Sequence, residues 1–328
     1  MFEGLCRYGF TENPYLRGEL NPLSSATDGE LLVRVDGFSK LDELDLALKN
    51  AVDQRHPLFF LVSGKSGSGR SSAANYIMAR YCYHRGIDRS RFIIPNRQAA
   101  GYDKLAIFKK WFTFLRTAIN VKRITLPQDL KDDFDSYMKN ADPDTMEGSF
   151  QDLALRISAE LGDLPTPPGP AGFGCCLEDV KTYDIINSAL QIFDTVNTIC
   201  VFTVGDYEEG KTEVIGPFLQ KAKSFSGKAI ELSLIQGADV LTVVEERWKK
   251  VCAHPSPFDA QGIEQAFSDK PRPVAQVLSL MGKAIDMKLV QFPNGPPYPE
   301  AEELRFSAIQ IAESVKFIEG FKEGKLYD

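Results

Sequence analysis

Short, almost wholly apolar runs alternate along the chain with longer stretches in which apolar residues recur every three or four positions. The runs cover residues 58–62, 91–94, 173–177, 198–204 and 229–232, and turn residues bound them. Such a run is typical of a strand buried on both faces of a parallel sheet. Strands that alternate with helices predict βαβ units with right-handed crossovers. We therefore predict an α/β fold with a parallel five-stranded sheet flanked by helices.

The periodic stretches predict the helices and one domain boundary. Helices are expected at residues 39–55, 72–83, 105–119, 129–138, 149–161, 183–194, 217–225, 238–252, 259–267, 273–289 and 300–322. Residues after 236 contain only helical patterns. We therefore expect an irregular N-terminal segment at 1–35, an α/β domain at 36–236 and an all-helical region at 237–328.

Composition and charge narrow the class of protein. The 328 residues are 43% hydrophobic and 25% charged, which is enough apolar material for a large core. The net charge of −7 works against non-specific adhesion to nucleic acid or to an anionic membrane. The six cysteines show no CxxC spacing, which favours a reducing compartment. Because no signal peptide or membrane-spanning stretch is evident, we predict a cytoplasmic protein without membrane contact.

A glycine-rich loop between the first strand and the next helix is the sharpest chemical feature. It fits the pattern G-x-x-x-x-G-K-[ST], with arginine in the lysine position. Glycines let successive backbone N–H groups turn inward around phosphate oxygens, and the following helix N-terminus adds further donors. The candidate phosphate-binding residues are Gly64, Lys65, Ser66, Gly67, Ser68, Gly69, Arg70, Ser71 and Ser72.

Two residues of this loop have separate predicted roles. The hydroxyl of Ser71 would bind Mg²⁺, and Arg70 would reach the β- and γ-phosphates with a bulkier, planar cation than lysine. The alternative interpretation is a glycine–serine turn that carries an exposed arginine. The buried strand before the loop and the helix after it favour the phosphate site.

Two adjacent carboxylates follow the third predicted strand. By position, Glu178 would hold Mg²⁺ and Asp179 would orient or deprotonate the attacking water. This order is the reverse of the more frequent Asp-then-Glu sequence. The alternative is a strand end with two solvated acids.

Three further polar residues are candidates for the same site. Thr203 or Asp206 could face the γ-phosphate from the end of the fourth strand, although a Gly-Asp turn explains Asp206 equally well. Arg272 begins an apolar helix and could fold onto the γ-phosphate, or it is a solvated charge beside a proline. We expect Arg247 to be a surface ion-pair residue rather than an arginine finger that acts in trans.

Taken in order, these motifs resemble those of P-loop NTPases of the AAA+ and STAND classes, and most closely the initiator and helicase-loader branch of AAA+ proteins. The resemblance runs from about residue 36 to residue 289. It implies a Walker A-like loop at 64–72, a Walker B-like strand at 173–179, a sensor-1-like strand at 198–206 and a helical lid. Thr203 or Asp206 would then take the sensor-1 position, and Arg272 the sensor-2 position.

The sequence departs from that branch in ways that leave two functions open. Arg70 replaces the usual lysine, the acid pair is inverted, no arginine finger stands out and no winged helix follows residue 288. One hypothesis is a slow Mg-ATP-binding ATPase that uses ATP or ADP to control conformation or assembly with partner proteins, including self-association to a homo-oligomer. The other is an inactive pseudo-ATPase that serves as a regulatory or interaction module. A kinase-like transferase is a weaker third hypothesis, and direct binding of duplex DNA is not expected.

Overall fold

A single five-stranded sheet organises the α/β part of the chain. The computed structural model describes residues 13–16, 18–33, 41–51, 57–95, 103–164, 170–205, 211–222, 227–291 and 305–322. The strands are β1 (Leu58–Gly64), β2 (Phe92–Ile93), β3 (Gly172–Leu177), β4 (Ile199–Gly205) and β5 (Gly227–Leu232). Their order across the sheet is β2-β3-β4-β1-β5, and every neighbouring pair is parallel. The predicted parallel five-stranded sheet is confirmed.

Helices connect the strands and build the C-terminal region. They are α1 (Ala26–Glu30), α2 (Leu41–Asn50), α3 (Arg70–Arg85), α4 (Lys104–Val121), α5 (Gln128–Asn140), α6 (Met146–Gly162), α7 (Tyr183–Ile192), α8 (Gly216–Lys221), α9 (Ala238–Val251), α10 (Ala260–Ala266), α11 (Val274–Gln291) and α12 (Ala308–Lys322). A π-helical turn (Lys211–Ile215) precedes α8. No helix in the described ranges is both long and apolar enough to cross a membrane.

The two faces of the sheet carry separate apolar layers, as the alternation of side chains along a strand requires. Phe59 and Leu61 of β1 pack with helices α4 to α7. Phe60 and Val62 of the same strand pack with α2 and α3 on the opposite face. Because both faces are covered, every residue of β1 is buried. This explains why the strand is a continuous apolar run in the sequence.

A third apolar cluster holds helices α9 to α12 together around Trp248 and Phe267. The helix predicted at 300–322 begins later than expected, since residues 305–307 are not helical and α12 starts at Ala308. The backbone of Phe306 bonds to Pro257 and Asp259 instead. Ser307 and Gln310 then cap α12 reciprocally, in the manner of a capping box.

Residues 13–16 and 18–33, which we call the N-terminal strap, connect the C-terminal helices to α3. Tyr15 is buried and donates a hydrogen bond from its hydroxyl to the carbonyl of Val244 in α9, 3.0 Å away. The side chain of Asn75 in α3 donates to the carbonyl of Leu20, 2.9 Å away. The irregular segment predicted at the N-terminus therefore lies against both parts of the chain.

Candidate nucleotide-binding site

The glycine-rich loop (residues 64–72) connects the carboxyl end of β1 to the first turn of α3. Gly64 and Gly67 have φ angles of 151° and 79°, a region that L side chains rarely adopt. A Cβ atom on Gly64 would lie 2.6 Å from Ser68 Oγ and 2.7 Å from the carbonyl oxygen of Leu232. The fold therefore requires glycine here. The first N–H groups of the 16-residue helix α3 have no partner within the helix and are available to an anion.

Two polar atoms of this loop are buried and make no hydrogen bond within the described part of the chain. They are Ser68 Oγ and Arg70 Nη1. Burial of a donor without a partner is costly, and a ligand commonly supplies the missing acceptor. A group with several oxygen acceptors, such as a phosphate chain, fits this arrangement. Lys65 and Ser66 are exposed, whereas Ser71 is half-buried in the first turn of α3.

The acid pair follows β3, and the structure brings its second member to the loop. Oδ1 of Asp179 lies 3.5 Å from Nη1 of Arg70, and Oδ2 lies 2.6 Å from Nζ of Lys181. Burial raises the pKa of the Asp179 carboxyl, but the hydrogen bond from Lys181 and the two positive charges outweigh this and lower the pKa. Glu178 is half-buried at the strand end, with its Oε1 atom inside the protein.

Thr203 lies on β4, the strand between β3 and β1, and its side chain is buried. Its hydroxyl accepts a hydrogen bond from the backbone N–H of Asp179 at 3.0 Å. Asp179 has a φ of 57°, which is uncommon for a residue other than glycine, so this contact fixes an unusual backbone. Asp206, the alternative to Thr203, lies outside the described residues.

The segment around Arg272 contacts the loop through its backbone and through neighbouring side chains. The N–H of Ala275 donates to the carbonyl of Gly67 at 2.9 Å, and a Cβ on Gly67 would lie 3.3 Å from Pro273 and from Ala275. The guanidinium of Arg272 is instead buried against Glu319 of α12, at 3.0 Å, and Asp269, at 2.7 Å. Arg272 is therefore not the solvated charge that the alternative interpretation expected, because Glu319 and Asp269 pair with it inside the protein. Its contact with a γ-phosphate stays a prediction.

A narrow cavity of about 50 Å³ adjoins the loop, and sequence reasoning missed it. Its wall combines residues of the loop, the N-terminal strap, the segment after β5 and the C-terminal helices: Leu20, Leu32, Val33, Ser68, Gly69, Ser72, Ser233, Ile235, Val243, Arg247 and Val274. Ser72, predicted to bind phosphate, here accepts a hydrogen bond from the N–H of Leu20 at 3.0 Å.

Arg247 is not the surface residue that the sequence analysis expected. Its side chain is buried in the cavity wall and donates a hydrogen bond to the carbonyl of Pro14 at 3.3 Å. Arg247 follows Val240 by seven positions and Val243 by four, which places it on the buried stripe of α9. The helical periodicity was the signal that could have identified it.

A magnesium ion has few protein ligands available. In the ranges that the structure describes, no three His, Cys, Asp or Glu side chains are grouped to hold a metal ion. Mg²⁺ is usually bound by one or two protein ligands together with phosphate oxygens. The roles predicted for the hydroxyl of Ser71 and the carboxylate of Glu178 as magnesium ligands beside a polyphosphate stay predictions.

Comparison with solved structures gives matches along most of the chain. The ORC2 protein of Aeropyrum pernix in its ADPNP–ADP complexes has a TM-score of 0.61 at 10% identity, over 97% of this chain and 75% of that chain. Its ADP form has a TM-score of 0.53 at 10% identity, over 85% and 67% of the two chains. This chain therefore shares the fold of these structures, a P-loop AAA+ architecture with a helical C-terminal region. No protein-family model and no curated protein matches the sequence.

The AAA+ fold confirms the resemblance inferred from the sequence, at the level of architecture. A third match is Drosophila ORC bound to DNA, with a TM-score of 0.50 at 8% identity, over 94% of this chain and 69% of that chain. A protein of this fold thus occurs in complex with DNA. The expectation that this chain does not bind duplex DNA, which rested on net charge and on a missing motif, is not supported.

Proposed function

We propose that this chain binds ATP or ADP together with Mg²⁺ through the glycine-rich loop, and that the bound nucleotide controls the position of the C-terminal helices. The observation that carries the proposal is the hydroxyl of Ser68, which is buried in the loop without a hydrogen-bond partner in the described structure. It lies in the same loop as the cation Arg70 and the first N–H groups of α3, which are suited to phosphate oxygens. The nucleotide-bound ORC2 structures of the same fold support it.

The cavity beside the loop is the proposed position of the nucleoside. It adjoins Ser68 and Gly69 and has an apolar wall, as nucleobase pockets commonly do. At about 50 Å³ it is too small for a base, so binding requires the strap and the C-terminal helices to move apart. Movement of this kind would convert nucleotide binding into a change of conformation.

Nucleotide affinity of the full chain tests the proposal. We expect ATP and ADP to bind, and Mg²⁺ to strengthen binding. The Ser71→Ala variant should lose the Mg²⁺-dependent gain. Ser68→Ala should weaken binding about tenfold, because the phosphate chain loses a buried donor. Ser158→Ala is the matched control, since Ser158 is a half-buried serine of α6 outside the loop. Failure of the parent protein to bind any nucleotide would end the proposal.

A pseudo-ATPase is the second candidate, and one observation favours it. The carboxylate predicted to serve as the base, Asp179, is already paired with Arg70 and Lys181. A carboxylate held by two cations is less available to a water molecule. Phosphate release by the parent and by Arg70→Lys distinguishes the two functions. If only the variant hydrolyses ATP, the chain is a pseudo-ATPase whose nucleotide serves regulation alone.

Partners and organisation belong to the same proposal. We infer that the nucleotide state governs assembly with other proteins or with further copies of the chain, in the cytoplasm. We propose that the conformational change moves the three segments 1–35, 36–236 and 237–328 relative to one another. Duplex DNA enters as a partner to be tested, because Drosophila ORC was solved bound to DNA. Sedimentation with and without ATP, and with a DNA duplex, measures each association.

A further inference from the structure

The contact between Arg70 and Asp179 joins two segments that the sheet holds apart. Arg70 begins α3 after β1, whereas Asp179 follows β3, and β4 lies between those two strands. The ion pair at 3.5 Å therefore spans the strand that carries Thr203. Thr203 in turn holds the backbone of Asp179 through a hydrogen bond of 3.0 Å. The backbone that carries this carboxylate is thus held in position by the protein itself.

Arg70 is the loop cation that a bound phosphate chain would contact. Its side chain is 17% exposed, and Nη1 is buried without a hydrogen bond in the described structure. The side chain of Asp179 is 53% exposed, so this carboxylate approaches the guanidinium from the solvent side. An anion that enters the loop meets a cation that already has a counter-ion.

We propose that Asp179 is an internal counter-ion of Arg70, which a polyphosphate displaces when it binds. The inference rests on the proposed function and concerns the same site. After displacement Asp179 still pairs with Lys181, because Nζ of Lys181 lies 2.6 Å from Oδ2 of Asp179. The carboxylate therefore keeps a cationic partner. Because the anion has to displace Asp179 from Arg70, the affinity for a polyphosphate is lower than it would be without Asp179. Anions that bind Arg70 more weakly than a carboxylate does are disfavoured.

This role and the predicted catalytic role of Asp179 have different consequences when Mg²⁺ is absent. A carboxylate that serves only the metal or the attacking water repels a metal-free nucleotide through its charge, whether or not Arg70 is present. A counter-ion of Arg70 opposes that binding through the arginine, and its neutralisation strengthens binding only while Arg70 is present. Affinity measured in EDTA with and without Arg70 therefore separates the two roles.

The experiment compares ATP and tripolyphosphate binding to the full chain in EDTA, for the parent and for Asp179→Asn. Asparagine adopts a positive φ readily, so the variant keeps the local backbone. We expect about two- to fivefold tighter binding by the variant, the range of a partly exposed ion pair. Asp184→Asn, an exposed residue at the start of α7, controls for the loss of one negative charge.

A double-mutant cycle with Arg70→Gln shows whether the effect passes through the arginine. We expect Asp179→Asn to have no effect on affinity in the Arg70→Gln background. An equal gain in both backgrounds would mean general repulsion and would overturn the inference, as would unchanged or weaker binding by Asp179→Asn alone. If the parent and every variant fail to bind even with Mg²⁺, the proposed function itself is wrong.

Discussion

Replacing Glu319 by glutamine removes the charge that holds α12 to the start of α11. Glu319 accepts hydrogen bonds from Arg272 at 3.0 and 3.4 Å and from Gln276 at 3.1 Å. The side chain of Arg272 is 3% exposed and that of Glu319 is 18% exposed. Breaking such a buried pair costs roughly 3–5 kcal/mol. Because Asp269 still pairs with Arg272, we expect about 2–3 kcal/mol for Glu319→Gln.

Urea unfolding measures this loss in the C-terminal helices. Trp248 is buried there and Trp111 is buried beside the sheet, so a Trp111→Phe background leaves fluorescence that reports on the C-terminal cluster. Glu313→Gln is the matched control, since Glu313 is exposed on the same helix. A cost for Glu319→Gln no larger than that of the control would refute the argument that α12 is held by this pair.

Two further predictions concern the loop and the layer behind it. Gly64→Ala should lower the free energy of unfolding, measured in urea, by about 1–3 kcal/mol, because the new Cβ would meet Ser68 and Leu232. Gly148→Ala is the control and should be neutral or stabilising, because Gly148 has open space around it in α6. Burial raises the pKa of Asp45, but hydrogen bonds from Arg80 and His84 outweigh burial and lower the pKa. The contribution of Asp45 to stability is therefore lost as the pH falls below the ordinary pKa of 3.8. Acid unfolding curves should therefore show Asp45→Asn losing less stability than the parent between about pH 5 and about pH 3, and parallel curves would contradict this.

Local sequence patterns were sufficient for the strands and for the loop. The buried strand β1 is a continuous apolar run, and glycines stand where the backbone needs positive φ angles. Both signals lie within one short stretch of chain, so no distant contact is needed to interpret them. A local signal for the start of α12 was also present, since Ser307 and Gln310 form a helix cap. The prediction of a start at residue 300 overlooked this signal.

Contacts between distant segments could not be predicted in this way. Glu319 reaches Arg272 across 47 positions, and nothing in either local pattern pairs those two charges. The strand order places β4 between β1 and β3, and only that order brings Asp179 to Arg70 beside Thr203. The sequence therefore identified residues with suitable chemistry, whereas the partner of each charge depended on the folded topology.

Three separate segments contact the glycine-rich loop, so the conformation of the loop depends on residues outside it. The N-terminal strap donates from Leu20 to Ser72, the start of α11 donates from Ala275 to Gly67, and the end of β3 supplies Asp179. A phosphate chain that reorganises the loop alters all three contacts at once. Since Arg272 and Glu319 connect the start of α11 to α12, contiguous contacts run from Gly67 to the C-terminal helix. In the proposed function, this connectivity would link a bound nucleotide to the C-terminal helix without a need for rapid hydrolysis.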